Sequence, residues 1–210
     1  MPMIHVALLD DHPAVLAGLR RLIEHEPDLM IVGAAPNAPE LARQVDGERA
    51  DVLVVDHDLT HSDGLSHCRR IKDRPHPPAV VIYSAFATQA LGLAARVAHA
   101  DAVVSKTEPV SSLLAAIRSV AAGQTVLPAI SRDAYETATA RLAGEDLPVL
   151  AMLLGGESLS AIAEALRTDR SEIAWRAQRI IGRLRPGATG PANRDALDAD
   201  SGPVLALPFR

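Results

Sequence analysis

Residues 51–60 read DVLVVDHDLT, and this stretch decides the fold class. Four apolar residues, 52–55, run directly into Asp56. A continuous apolar run of this length is typical of a strand buried on both faces, as strands are in parallel sheets. A carboxylate at the end of such a strand is costly unless it is paired, hydrogen-bonded or bound to a metal. The stretch therefore predicts a central strand whose end carries a functional site.

The sequence on either side of this strand alternates between strand and helix patterns up to Gly123. Short apolar strands are predicted in HVALLDD, LMIVGAA, DVLVVD, AVVIYSA and DAVVSK, and an amphipathic helical pattern follows each of them. Five βα units in a row predict a parallel sheet covered by helices on both faces. The expected fold class is an α/β domain with a flavodoxin-like, five-stranded parallel sheet in the order 2-1-3-4-5.

The pattern changes after residue 123. Residues 124–143 are interpreted as a helical linker, with a helix near 129–142, and three helical patterns with short breaks predict a small all-α domain over 144–187. The segment 188–210 is rich in Gly, Pro, Ala and Asp and is expected to be a mobile tail.

Composition sets broad limits on function. The 210 residues are 48% hydrophobic with a net charge of −5, so any nucleic-acid footprint must be local. One cysteine excludes a disulfide framework, and the helical spacing of Cys68 between Leu65 and Ile71 favours core packing over a reactive thiol. No stretch approaches the ~18 apolar residues of a membrane span, and a cytoplasmic protein is expected.

Chemically capable residues stand at the carboxyl ends of four predicted strands. Asp10 and Asp11 follow the first, and Asp56, Ser84 and Lys106 follow the third, fourth and fifth. In the order 2-1-3-4-5 these four ends are neighbours, and ligands bind there in open α/β sheets. Each residue alone has an ordinary explanation as a cap, turn or solvated side chain. Their coincidence on the four contiguous strands favours a shared site.

Three carboxylates in one place repel each other unless a cation lies between them. Oxygen ligands suit a hard dication, and Mg²⁺ is the common cellular choice. With the metal bound, Asp56 can act as a nucleophile toward phosphorus. Lys106 would neutralise the transferred phosphoryl group, and the Ser84 hydroxyl would donate a hydrogen bond to it.

Asp10, Asp11, Asp56, the "DG" at 63–64, Ser84 and Lys106 together resemble the receiver domain of bacterial two-component response regulators, over residues 4–123. The resemblance implies that Asp56 accepts a phosphoryl group from a histidine kinase. It also implies that Mg²⁺ is held by Asp11, Asp56 and the backbone carbonyl of Asp58, with Asp10 assisting through water. The expected protein is not an enzyme beyond slow self-phosphorylation and self-dephosphorylation at Asp56.

Two residues depart from the receiver pattern. Thr60 stands where the family usually has proline, and Val103 replaces its aromatic switch residue.

Two other interpretations compete with the receiver. Residues 51–60 also resemble the nucleophile strand of haloacid-dehalogenase-like phosphatases, with Asp58 as general acid, but the order of the motifs and the lack of a cap domain disfavour this. A transition-metal site at His57 and His61 is disfavoured because both fall in a loop.

Residues 159–184 resemble a LuxR-type helix-turn-helix, which together with a receiver gives the NarL/FixJ-like class of regulators. From 169 to 185 there are five Arg against two acids, a local charge of +3. We expect double-stranded DNA binding by a homodimer on paired half-sites. The predicted DNA-binding residues are Arg170, Ala174, Trp175, Arg176, Gln178, Arg179 and Arg183. The alternative is a degenerate helix-turn-helix that acts by protein contact, with Trp175 packed against the receiver or a dimer partner.

Overall fold

The structure is a computed structural model that describes residues 2–45, 50–60 and 62–184. Its strands are β1 (Ile4–Leu9), β2 (Leu29–Ala35), β3 (Val52–Asp56), β4 (Asp58–Leu59), β5 (Ser62–Asp63), β6 (Ala79–Ser84) and β7 (Ala102–Ser105). Its helices are α1 (Pro13–Ile23), α2 (Ala38–Gln44), α3 (Gly64–Lys72), α4 (Gln89–Val97), α5 (Val110–Ala121), α6 (Arg132–Thr139), α7 (Asp146–Leu154), α8 (Leu159–Leu166) and α9 (Arg170–Leu184).

The five long strands form one parallel sheet in the order β2-β1-β3-β6-β7. This is the predicted order 2-1-3-4-5, and the predicted fold class is confirmed. All five residues of β3 are buried. Its side chains alternate between the two faces, so Val52 and Val54 pack with α1 and α5, whereas Leu53 and Val55 pack with α2, α3 and α4. Burial on both faces explains why this strand has no polar residue before Asp56.

A short hairpin interrupts the connection from β3 to α3 and was not predicted. Strands β4 and β5 pair antiparallel over only two residues each, with Thr60 in the connecting turn. Asp63 then caps α3, because its carboxylate accepts hydrogen bonds from Leu65 N at 3.1 Å and Ser66 Oγ at 3.1 Å. Two-residue strands leave no hydrophobic alternation in the sequence, so only the tertiary structure reveals them.

Helices α6 to α9 follow the sheet domain, and their ends differ from those that the sequence patterns predict. The helix expected near 129–142 is shorter, because the Ser131 hydroxyl accepts a hydrogen bond from Ala134 N and starts the helix at Arg132. Helix α8 ends at Arg167, whose left-handed backbone (φ 52°) turns the chain toward α9. Residues 185–187 of the predicted helical domain and the predicted tail, 188–210, lie outside the described residues.

Helices α6, α7 and α9 pack directly on α4 of the sheet domain, and α8 packs on α7 and α9. One apolar cluster continues from the sheet face through α4 into α7, α8 and α9, and α9 also contacts α3. Before these helices, Val126 hydrogen-bonds to the edge strand β7, with Val103 N donating to Val126 O at 3.1 Å. The linker passes so close to α4 that a Cβ on Gly92 would lie 2.5 Å from Pro128 Cγ. Arg170 at the start of α9 forms an ion pair with Asp73, just after α3.

Within the described parts of the chain, no helix is both long enough and apolar enough to cross a membrane. Cys68 is fully buried, and burial raises the pKa of its thiol to about 12. A thiol in that state stays protonated at neutral pH, which agrees with the predicted packing role.

Candidate functional site

The carboxyl ends of β1, β3 and β7 bring Asp10, Asp56 and Lys106 into direct contact. Lys106 Nζ lies 2.7 Å from Asp10 Oδ2 and 3.0 Å from Asp56 Oδ2. Both carboxylates are 3% exposed, so the ammonium group supplies charge compensation that water cannot. Burial would lower the pKa of Lys106, but its hydrogen bonds to the two aspartates outweigh this and raise the pKa. We call Asp10, Asp11, Asp56 and Lys106 the acidic pocket.

Asp11 is the most exposed acid of the acidic pocket and is held from the far side by the β4–β5 turn. Its Oδ2 accepts a hydrogen bond from Thr60 N at 2.6 Å and a second one from the Thr60 hydroxyl. Partial burial would raise the pKa of Asp11, but the hydrogen bonds from Thr60 stabilise the anion and lower the pKa below its ordinary value. Asp11 is therefore kept ionised, as a metal ligand must be.

His12 also faces the acidic pocket, and sequence reasoning missed it. Its Nδ1 lies 3.2 Å from Asp10 Oδ1, 3.0 Å from Asp11 Oδ1 and 3.6 Å from Asp56 Oδ2. The signal was present, since His12 directly follows the two aspartates at the end of the first strand. We interpret it as a further nitrogen donor at the rim of the pocket.

Ser84 ends β6 next to Asp56 and is fully buried. Asp56 pairs in register with Tyr83, the preceding residue. The Ser84 hydroxyl accepts a hydrogen bond from Phe86 N at 3.1 Å, and its carbonyl accepts one from Lys106 N at 2.7 Å. Ser84 therefore connects the loop after β6 to the backbone of the pocket lysine.

The "DG" at 63–64 has a steric explanation. A Cβ on Gly64 would lie 2.1 Å from the backbone carbonyl oxygen of Asp56, and Gly64 N donates to His57 O at 3.1 Å. The start of α3 therefore packs against the end of β3 at a distance that no side chain permits.

Gly64→Ala is expected to displace the end of β3 and lower the free energy of unfolding by about 1–3 kcal/mol, the usual cost of overpacking. Gly18→Ala is the matched control, since nothing lies within 4 Å of a Cβ there. Denaturant unfolding of both variants checks this, and equal stability of Gly64→Ala and wild type would contradict the steric explanation.

His57 does not belong to the acidic pocket. It is 4% exposed, and its Nδ1 lies 3.7 Å from Asp63 Oδ1. Its predicted partner, His61, lies outside the described residues. Asp58 donates its backbone N–H to Asp56 Oδ1 at 3.3 Å, while its side chain is 55% exposed.

The pocket residues fit a hard divalent cation. One donor atom from each of Asp10, Asp11, His12 and Asp56 lies within 4.8 Å of every other. Asp11 Oδ1 is buried and, among the described residues, accepts no hydrogen bond. A buried, ionised oxygen without a donor is favourable where a cation completes its environment. The four donors could therefore hold a metal ion.

Helix α9 carries the predicted DNA-binding residues, but none of its residues from 172 to 184 is fully exposed. Ile173, Ala177, Ile180 and Leu184 form its buried stripe. A second side of α9 carries three of the predicted residues at a spacing of four, namely Arg170, Ala174 and Gln178. On this side Arg170 forms an ion pair with Asp73. Ala174 packs against the core cluster, and Gln178 Oε1 is buried without a partner among the described residues.

Three arginines of α9 make contacts within the helical bundle. Arg179 forms ion pairs with Glu145 at 2.7 Å and with the fully buried Asp146 at 2.5 Å. It also stacks on Trp175, with 4.3 Å from Cζ to the ring centroid. The contacts of the other two are Arg176 Nε to Glu172 Oε1 at 2.9 Å and Arg183 Nη1 to Arg141 O at 3.1 Å. In this arrangement, most of the positive charge of α9 that was predicted to contact DNA phosphates is paired with carboxylates of the same chain.

The sheet order, the acidic pair, the third-strand aspartate and the lysine together define an α/β domain of the receiver type. Residues 6–118 match the family described as the response regulator receiver domain. The chain belongs to this family, which confirms the receiver prediction over the phosphatase alternative. The predicted NarL/FixJ-like, LuxR-type class is confirmed as well. The relatives that show it include a response regulator of the LuxR family, which is described below with the solved structures.

Among curated proteins, one relative matches over most of its length and another over little more than half of it. The response regulator UvrY of Escherichia coli (strain K12) is 25% identical over 192 residues, covering 87% of this chain and 88% of that protein. The DNA-binding transcriptional activator DevR/DosR of Mycobacterium tuberculosis (strain H37Rv) is 32% identical over 125 residues, 60% of this chain and 58% of that protein.

Solved structures agree with the fold. A LuxR-family two-component response regulator from Aurantimonas sp. SI85-9A1 is 31% identical, with a TM-score of 0.55 over 67% of this chain and 99% of that chain. RcsB from Salmonella enterica serovar Typhimurium, bound to a promoter, is 22% identical, with a TM-score of 0.57 over 92% of this chain and 95% of that chain. At that identity RcsB supports the fold alone.

Proposed function

We propose that this chain is a transcription regulator in which phosphorylation of Asp56 by a histidine kinase controls DNA binding by the C-terminal helices. The observation that carries the proposal is the contact between Asp56 Oδ2 and Lys106 Nζ at 3.0 Å, at the end of a fully buried strand. The proposed divisions are a receiver over 1–123, a helical linker over 124–143, a helix-turn-helix domain over 144–187 and a tail over 188–210.

In the proposed phosphotransfer, a carboxylate oxygen of Asp56 attacks phosphorus on a kinase phosphohistidine. A P–O bond forms, the P–N bond breaks, and its electron pair returns to the histidine nitrogen. Lys106 then shifts from Asp56 toward the new phosphoryl oxygens, because its charge-assisted hydrogen bonds to the more highly charged phosphoryl group are stronger. The Ser84 hydroxyl can turn toward the same oxygens when it releases Phe86 N.

Mg²⁺ is the proposed cofactor. Asp11 and Asp56 would hold it directly, together with the Asp58 backbone carbonyl, with Asp10 acting through water. Bound there, the cation would neutralise the charge that accumulates on the phosphoryl group. The buried Asp11 Oδ1 supports this role, because it accepts no hydrogen bond from the described residues and its nearest basic neighbour is the ring of His12, with Nδ1 at 3.0 Å.

Addition of Mg²⁺ is expected to stabilise the folded protein by mass action, by about 2.7 kcal/mol at a concentration of 100 times Kd. Asp11→Ala should remove this stabilisation because it deletes a ligand. Thermal unfolding with and without Mg²⁺ measures both. An unchanged melting temperature of the wild type at millimolar Mg²⁺ would contradict the metal pocket.

DNA binding requires α9 to leave the receiver. Its residues are covered by α3 and α4 on one side and by α7 and α8 on the other. A helix in the major groove must present side chains to base edges, which no buried face can do. Phosphorylation is therefore proposed to relieve inhibition by weakening the contact between α4 and α9, and a homodimer then occupies paired half-sites.

A relative supports this assignment by analogy, since DevR/DosR is described as a DNA-binding transcriptional activator. The direct test is selection of bound DNA from a random pool by the full chain, with and without acetyl phosphate and Mg²⁺. Enrichment of one sequence only after phosphorylation is the expected result. Failure to enrich any sequence in either state would favour the protein-contact alternative.

A further inference from the structure

Thr60 makes a contact that the receiver pattern does not provide. Both of its donors, the backbone N–H and the side-chain hydroxyl, are directed at the same oxygen, Oδ2 of Asp11. Proline, the usual residue of the family at this position, has neither donor. The pair joins the β4–β5 turn to the end of β1 across 49 residues of sequence.

The contact with Thr60 places the two carboxylate oxygens of Asp11 in different environments. Oδ2 is occupied by Thr60, whereas Oδ1 is buried on the pocket side, 3.0 Å from His12 Nδ1, and accepts no hydrogen bond from the described residues. Two hydrogen bonds to one oxygen restrain the rotation of the carboxylate, which favours the orientation in which the other oxygen is directed at the pocket. This is the arrangement by which outer hydrogen-bond partners orient metal ligands.

The turn that carries Thr60 is itself anchored on both sides. Leu59 pairs with Ser62 across the hairpin and packs, partly buried, against the core cluster. Asp58 N donates to Asp56 Oδ1, and Asp63 caps α3. The hairpin thus has fixed ends, and Thr60 holds Asp11 from a defined position.

We propose that Thr60 is a positioning residue for the metal: its hydroxyl and N–H orient Asp11 so that Oδ1 coordinates Mg²⁺. This inference rests on the proposed metal pocket and goes further by assigning a role to a residue that departs from the receiver pattern. It also explains how the chain tolerates the loss of proline, since the turn is stabilised by the contact with Asp11.

The experiment compares the Mg²⁺ affinity of full-length wild type, Thr60→Val and Thr60→Ser by isothermal titration calorimetry. Thr60→Val keeps the shape and the N–H but removes the hydroxyl, and Kd is expected to rise about 10-fold or more, as it does when outer partners of metal ligands are removed. Thr60→Ser restores a hydroxyl and should bring Kd back close to the wild-type value. Thr139→Val makes the same change at a half-buried site in α6, where the hydroxyl donates only to backbone carbonyls of its own helix, and serves as the matched control.

The outcomes separate this inference from the pocket on which it rests. Wild-type binding with a weakened Thr60→Val and a recovered Thr60→Ser supports the positioning role. Wild-type binding with an equal or lower Kd in Thr60→Val overturns that role and leaves the metal pocket intact. A wild type that does not bind Mg²⁺ overturns the pocket and, with it, the role of Thr60. Thermal unfolding without Mg²⁺ checks that each variant is folded.

Discussion

Asp56→Asn is expected to abolish the gain of one phosphoryl group when the protein is incubated with acetyl phosphate and Mg²⁺. The amide is not a nucleophile toward phosphorus at neutral pH, whereas the carboxylate lies beside Lys106 at the end of β3. The other pocket carboxylates are not expected to substitute for it, because the proposed mechanism assigns Asp10 and Asp11 to the metal and Thr60 already occupies Asp11 Oδ2. Intact-mass analysis measures the result directly.

Asp58→Asn is the matched control for this substitution. It makes the same chemical change two residues away, on a side chain that is 55% exposed, and the proposed contribution of Asp58 to the metal is its backbone carbonyl. We expect this variant to be phosphorylated like the wild type. A phosphoryl group that still appears on Asp56→Asn, or is lost from Asp58→Asn alone, would show that the acceptor has been assigned wrongly.

Leu93→Asp is expected to separate the C-terminal helices from the receiver and to produce DNA binding without phosphorylation. Leu93 is 1% exposed on α4 and faces Leu154 of α7 and Ile130 of the linker, around a cleft of about 520 Å³. The shorter, charged side chain removes the apolar packing of Leu93 and places a carboxylate in a buried position. This is costly even with Arg96 and Arg132 on the wall of the cleft, so the open arrangement becomes favoured. If the closed form holds most of the protein, the apparent DNA affinity should rise about 10-fold or more.

Two measurements detect the separation of the C-terminal helices from the receiver in this variant. Small-angle scattering should show a larger radius of gyration for Leu93→Asp, and DNA from the selected pool should bind without acetyl phosphate. The variant should still accept a phosphoryl group on Asp56, which shows that the receiver remains folded, and the milder Leu93→Ala provides a second test if it does not.

Leu22→Asp is the control for added charge, because Leu22 is 42% exposed on α1, far from the contact in the fold. A folded Leu93→Asp with unchanged scattering would contradict the proposed opening of the C-terminal helices away from the receiver. An opened variant that binds no DNA would instead favour the protein-contact alternative for the C-terminal helices.

The sequence determined the sheet and the placement of its chemistry. Buried strands such as β3 are encoded by local apolar runs, and the right-handed connections of a parallel sheet place their carboxyl ends together. Asp10, Asp56 and Lys106 were therefore predictable as neighbours before any distance was known. The same reasoning gave Ser84 its place beside them, because strand order alone decides which ends are adjacent.

Tertiary structure alone decided the contacts that local patterns do not encode. Thr60 reaches Asp11 through a hairpin too short to leave a periodic signal, and Arg179, predicted for DNA, turns to the buried Asp146. The burial of α9 against α4 depends on complementarity between two surfaces far apart in the chain. An amphipathic pattern shows that a helix has an apolar face, but it does not show which partner covers the rest of the helix. That choice depends on a small difference in free energy between whole arrangements, and so it is a property of the folded molecule rather than of any segment.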